Sequence, residues 1–266
     1  VARRALHPFR RRVRAAVEDM PEVEISEAGN IRSLHLGSET IQSSMDMDDP
    51  PELVLSYSRA MMAFLLWNDD PRHILQIGLG GGSFARFIDE NLPDAVSVAV
   101  EINPQVIAVA RAFFKLPQEG DFFEIIEADG ADYVKIFRGS TDAILVDGFD
   151  GLQIVDELTT EDFFEDCKRA LSPDGVFVTN WWSGDKRYHS FVERLLKVFE
   201  GRVLELPSAS HGNVAVMAFR QSPSLTQWEA LKERADRMEC RFGLEFGDFV
   251  QRLKQTNQST AGHLLI

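Results

Sequence analysis

The 266-residue sequence has little cysteine, little tyrosine and no long apolar run. Its two cysteines, Cys167 and Cys240, stand alone. Neither metal-type spacing nor a disulfide framework is present, which fits a reducing cytoplasm. Residues 60–67 form the longest apolar stretch, far below the roughly 18 to 20 residues needed to span a bilayer. With no secretory leader pattern ahead of it, a soluble protein with no membrane partner is expected. There is no Gly-x-Ser-x-Gly elbow and no Gly-Lys-Ser phosphate loop, so serine-hydrolase and P-loop chemistry fall away. No set of His, Cys and carboxylate residues has ligand spacing, and no metal is expected.

Positive charge is scarce as well: 28 Lys and Arg face 42 Asp and Glu, for a formal net charge of −14. Six of those arginines (Arg3, Arg4, Arg10, Arg11, Arg12 and Arg14) sit in the first 14 residues without an acid, which leaves the rest of the chain at −20. A body that acidic repels nucleic acid and draws in cationic small molecules; it is also the composition of a solvated surface.

What is present is periodicity. Segments 23–26, 31–36 and 40–43 alternate with period two around Gly29-Asn30 and Gly37-Ser38, as a small antiparallel meander does. Residues 53–67 read as a helix with a broad apolar face. From His73 the apolar segments become short continuous runs at 73–77, 96–100, 123–128, 143–146 and 176–179, the pattern of parallel strands buried on both faces. Helical-period segments at 84–91, 104–114, 131–137 and 160–171 lie between them, which predicts a Rossmann-like, doubly wound α/β sheet. Segments 203–206 and 214–219, around the turn at His211-Gly212-Asn213, add a hairpin and with it one antiparallel strand. Two further helices are expected at 228–238 and 249–253. The expected division is a basic arm over 1–20, a small β-domain over 21–52 and a Rossmann-like catalytic domain over 53–266.

Ligands of such sheets bind outside the carboxyl ends of the strands, so each strand end carries a test. The first runs into Gly78-Leu79-Gly80-Gly81-Gly82-Ser83 and then a helix, where glycines allow tight turning and close backbone approach beside unpaired N–H groups. The second delivers Glu101, placed to accept hydrogen bonds from both ribose hydroxyls. The third delivers Asp129-Gly130, where an acceptor can take the exocyclic amine of adenine, which points to an S-adenosyl compound more than to NAD. The fourth delivers Asp147 and, three residues later, Asp150. Trp181-Trp182 after the fifth strand offers rings either to a substrate or to a pocket wall, and His211 lies in a turn near the same opening.

Taken together these residues resemble the spermidine synthase family of polyamine aminopropyltransferases, a branch of the S-adenosylmethionine-dependent methyltransferase fold, from about residue 23 to 219. The most specific matches are Ile41-Gln42, Ser56-Tyr57, the glycine turn, Val100-Glu101-Ile102-Asn103, Ala128-Asp129-Gly130 and the Asp-x-x-Asp of Asp147 and Asp150. The resemblance implies transfer of an aminopropyl group from decarboxylated S-adenosylmethionine to putrescine or a related amine, by a homodimer. It implies that Gly78, Gly80, Gly82, Glu101, Ile102, Asp129 and Gly130 bind the nucleoside and that Gln42 contacts its thioether region. Tyr57 would line the amine channel, Asp147 would orient and deprotonate the amine, and Asp150 would bind the polyamine.

The sequence also departs from the family. Gly81 stands where the first turn usually carries the acid that holds the aminopropyl amine, and Gly148-Phe149 and Gly151 replace Ser-Ser and Pro around the acidic pair. Tyr57-Ser58-Arg59 replaces Tyr-Gln-Glu or Tyr-His-Glu. Ala209 aligns with the tyrosine of Pro-Thr-Tyr-Pro-Ser-Gly. The nucleoside half of the pattern is whole and the amine half is thinned, which keeps methyl transfer from ordinary S-adenosylmethionine, and a non-catalytic homologue, open as alternatives.

Overall fold

A computed structural model describes residues 20–149, 154–210 and 212–266. Except for Met20, the expected basic arm lies outside these residues, and so do Asp150 and His211.

The chain opens with three antiparallel strands, β1 (Val23–Ala28), β2 (Ile31–Leu36) and β3 (Ile41–Asp46). Alternation gives the small sheet one apolar face, and Leu34 and Met45 pack there against Phe114 of the main body. A short helix α1 (Ser56–Met61) follows and tightens into a 3₁₀ segment, Met62–Leu66. The single helix expected over 53–67 is therefore divided. Residues 60–66 are wholly buried, and the tighter winding is capped by Trp67, whose indole N–H donates to the Leu225 carbonyl at 2.8 Å.

The body alternates β4 (His73–Ile77), α2 (Ser83–Asn91), β5 (Val96–Glu101), α3 (Pro104–Phe113), β6 (Phe123–Glu127), α4 (Gly130–Ile136), β7 (Thr141–Val146), α5 (Glu161–Ala170) and β8 (Leu171–Trp182). It closes with α6 (Tyr188–Val198), β9 (Val203–Pro207), β10 (Asn213–Phe219), α7 (Trp228–Phe242) and α8 (Phe246–Thr256). Local chemistry sets the helix starts: Asn103, Asp129 and Thr160 each accept a backbone N–H of the first turn, and Pro104 sits at the first helical position.

The seven strands lie in the order β6-β5-β4-β7-β8-β10-β9, all parallel except β10, which is antiparallel to both neighbours. This is the Rossmann-like methyltransferase arrangement with its small N-terminal sheet. Successive strands first step outward from β4 to β6, then return across it to β7, so the crevice opens where β4, β5 and β7 end. One sheet face packs on α1, the 3₁₀ segment, α2, α7 and α8, and the other on α5 and α6.

Two departures from the sequence reading concern this second face. Strand β8 runs well beyond the expected 176–179 in both directions, with a shift in its register against β7 between Thr141 and Ala143. Helix α6 has no counterpart in that reading, although Tyr188, Phe191, Val192 and Leu195 are buried at helical spacing. Trp181 is wall packing: it is 1% exposed, with ring centroids of Phe191 and Tyr188 at 5.6 and 6.1 Å. Trp182 points the other way and is 52% exposed. Among the described residues no helix is long and apolar enough to cross a membrane.

Candidate active site

A cavity of about 300 Å³ opens at the ends of β4, β5 and β7 and is roofed by the small sheet, within the size range of small-molecule sites. Its floor is the glycine turn. Gly78 has φ +93°, and a Cβ there would lie 2.2 Å from the Asp147 carbonyl oxygen, so only glycine lets β4 and β7 end side by side. Gly80 is also left-handed, at φ +51°, and a Cβ on it would face Ser43 at 3.4 Å. Gly82 is not part of the cavity wall: a Cβ there would strike Leu116 at 2.0 Å, so this glycine serves packing at the start of α2. Gly130 similarly leaves room for Ile77, with 2.4 Å from its Cβ direction to Cγ2.

Glu101 reaches under this floor from the end of β5. Its Oε2 accepts the Leu79 N–H and its Oε1 the Asn103 N–H, each at 2.9 Å. Burial raises its pKa above the usual carboxylate range, and these backbone donors, with those of Gly80 and Ile102, pull it back. The carboxylate is thus fixed in place at the cavity it lines. Asp129 uses Oδ1 to cap α4 through the Asp132 N–H at 2.9 Å while lining the cavity beside Ile102.

Asp147 stands across the cavity, one residue past the last β7–β8 pair, Val146 with Thr179. Next to it, the Asn180 side-chain amide donates to Asp147 Oδ1 at 3.0 Å. The Tyr57 hydroxyl of α1 lies within reach of the same carboxylate while donating to the Gln42 carbonyl at 2.9 Å. Burial pushes Asp147 up to about 6, against the pull of Asn180 and Tyr57, and burial together with the Asp147 charge pushes Tyr57 well above its ordinary value. Gln42 and Tyr57 thereby connect the small sheet, α1 and the acid.

All the residues singled out in the sequence as ligand contacts line this cavity, except Gly82 and the undescribed Asp150. Sequence reasoning missed Asn180, Glu157 and the Ser43–Ser83 hydroxyl pair, whose oxygens are 3.1 Å apart. Asn180 carried a usable signal, a polar residue directly after an apolar strand run. Every charged side chain lining the cavity among the described residues is an acid: Glu101, Asp129, Asp147 and Glu157. Such walls suit a cationic guest.

Behind the floor, Arg86 of α2 is 3% exposed and ties three segments together. Its Nε donates to the Pro50 carbonyl at 2.6 Å, and its Nη1 to the carbonyls of Phe114, at 2.8 Å, and Gly81. Burial lowers its pKa to about 10, so the guanidinium stays charged at neutral pH. At Gly81 itself a Cβ would meet the Phe114 ring at 2.8 Å and Ser43 Oγ at 2.9 Å, so the space for a side chain is filled.

The spermine/spermidine synthase domain matches residues 54–218. A polyamine aminopropyltransferase of Chromobacterium violaceum is 89% identical over 98% of this chain and 100% of its own length. One from Neisseria meningitidis is 64% identical over 97% of this chain and 98% of its own. The fold is shared with the crystal structure of a probable spermidine synthase from Corynebacterium glutamicum, with a TM-score of 0.69 and 20% identity over 93% of this chain and 96% of that one.

Proposed function

Because this chain belongs to the spermine/spermidine synthase family, we propose that it is a polyamine aminopropyltransferase, moving an aminopropyl group from decarboxylated S-adenosylmethionine to putrescine or a related amine and releasing methylthioadenosine. The observation that carries this reading is Asp147, held by Asn180 and Tyr57 at the end of β7 in a cavity whose charged walls are acids. Decarboxylated S-adenosylmethionine is a cation without a carboxylate, as is the amine, and both suit those walls better than a ligand bearing its own carboxylate.

The residues divide the work. Glu101 and Asp129 hold the nucleoside from the ends of β5 and β6, over a glycine floor that allows close backbone approach. The co-substrate supplies an activated methylene beside a sulfonium. The incoming amine is an ammonium of pKa about 10 and needs to lose a proton before its lone pair can attack. Asp147 accepts that proton; the amine then forms the new N–C bond as the C–S bond breaks, its electron pair passing to sulfur. A pKa of about 6 makes Asp147 a better base than an ordinary carboxylate, though positioning contributes more than basicity. Asp150 is the second anchor for the polyamine in this reading. The same reading has the enzyme act in the cytoplasm as a homodimer, which analytical ultracentrifugation tests for the second part.

Mass spectrometry of reactions with decarboxylated S-adenosylmethionine and a panel of amines tests the activity. Aminopropylated product with methylthioadenosine is expected. Methylated amine with S-adenosylhomocysteine from ordinary S-adenosylmethionine, and no aminopropyl product, would overturn it.

A further inference from the structure

We propose that Asn213 and Asn180 form a positioning relay that keeps Asp147 in its ionised, proton-accepting form; the proposal rests on Asp147 being the acid that faces the amine. The Asn213 side-chain N–H donates to Asn180 Oδ1 at 3.0 Å, and Asn180 Nδ2 donates to Asp147 Oδ1 at 3.0 Å.

The sheet register produces this line. Asn213 pairs with Trp182 and Ala215 with Asn180, so Asn213 and Asn180 are diagonal neighbours on one face of the β8–β10 pair. On the other side of β8, Asp147 follows the Val146–Thr179 pair and so comes level with Asn180. Three adjacent strands thus place three polar side chains in a row across the sheet.

The chemistry of an amide gives the row a direction. A primary amide has one accepting end and one donating end. With Asn213 donating to the oxygen, only the donating end of Asn180 can face Asp147. An N–H donor complements a carboxylate and has nothing to offer the O–H of a protonated acid. Turning the Asn180 amide over would allow it to accept from a protonated Asp147, but would set two NH₂ groups against each other unless Asn213 turned as well, so a protonated Asp147 is matched only when both amides reverse. Asn213 therefore biases the charge state of a residue it does not touch.

The bias works alongside Tyr57 and against burial. From α1, Tyr57 faces Asp147 and shares its single proton with the Gln42 carbonyl of β3. From the ends of β5 and β6 and from the segment before α5, Glu101, Asp129 and Glu157 face the same cavity. Burial acts against the Asn180 and Tyr57 donors and is the larger effect.

The test compares Asn213→Ala and Asn213→Ser with the parent in the full chain, by kcat/KM against pH and by carbon-13 NMR titration of the Asp147 carboxyl, assigned with Asp147→Asn. Asn213→Ala is expected to move the acid limb up by about half a pH unit, a loss of about threefold in rate below the limb. Rates converge with the parent at high pH, and calorimetric affinity for methylthioadenosine stays unchanged. Asn213→Ser keeps a donor and should lie nearer the parent. An unmoved limb and titration, or an equal loss at every pH, would overturn the relay. The NMR titration needs no turnover. A parent without aminopropyl transfer would therefore sink the assigned activity, while the shift of the Asp147 titration in Asn213→Ala would still decide for or against the relay.

Discussion

Replacing Asp147 by Asn should make the protein more stable while abolishing turnover. The acid is raised from an ordinary 3.8 to about 6, chiefly by burial. A carboxyl whose folded pKa lies above its unfolded one binds its proton more tightly in the folded state. Its ionised form therefore costs stability, fully above the folded pKa, and the cost fades as pH falls toward the unfolded pKa. At about 1.4 kcal/mol per pH unit the difference corresponds to about 3 kcal/mol at most. Part of the side chain opens onto the cavity, where water screens it, so a gain of about 1 to 3 kcal/mol is expected near pH 8. Asparagine keeps an oxygen for the Asn180 amide and has nearly the same shape. Urea unfolding of both proteins at low concentration, from about pH 8 to about pH 4, measures the gain. It should shrink toward zero at the acid end. A variant less stable than the parent at about pH 8, or a difference that ignores pH, would refute the reasoning.

Other outcomes follow from the same geometry. The parent's kcat should fall as pH drops through about 6, where Asp147 takes up its proton, and the pH profile of turnover measures this directly. Gly78→Ala combines left-handed strain with a Cβ 2.2 Å from the Asp147 carbonyl; a loss of about 2 to 4 kcal/mol in urea unfolding and of about a hundredfold or more in kcat/KM is expected. Glu101→Gln replaces one of two acceptors serving the Leu79 and Asn103 N–H groups with a donor, and calorimetry should show affinity for methylthioadenosine falling by about tenfold or more. Arg86→Leu orphans carbonyls at Pro50, Gly81 and Phe114, a loss of about 3 kcal/mol in unfolding, with weaker nucleoside binding as the floor loosens.

The strands of the parallel sheet were legible because burial on both faces demands continuous apolar runs, and Glu101 and Asp147 because a polar residue directly after such a run stands at a strand's open end. The helix over 188–198 was hidden among charged residues, although its apolar spacing could have disclosed it. Asn213 was illegible for a different reason: its partner lies 33 residues away, and the two meet only through the register of an antiparallel pair, which no local pattern states. Arg86 is harder still, since its partners are main-chain carbonyls, the same in every residue. Trp181 could be read either as a ligand contact or as wall, and only the side of β8 on which it falls decides the matter.

The filled space at Gly81 couples that position to its neighbours. An acidic side chain at this point requires Phe114 and Ser43 to shift, because the new Cβ would meet the Phe114 ring at 2.8 Å and the Ser43 hydroxyl at 2.9 Å. Phe114 is wholly buried against the small sheet, so making it smaller first would cost stability on its own account. Contacting residues couple in this way, and the order of substitutions then matters as much as their identity. Adjusting amine recognition elsewhere in the cavity thus takes fewer coupled changes than placing an acid at residue 81.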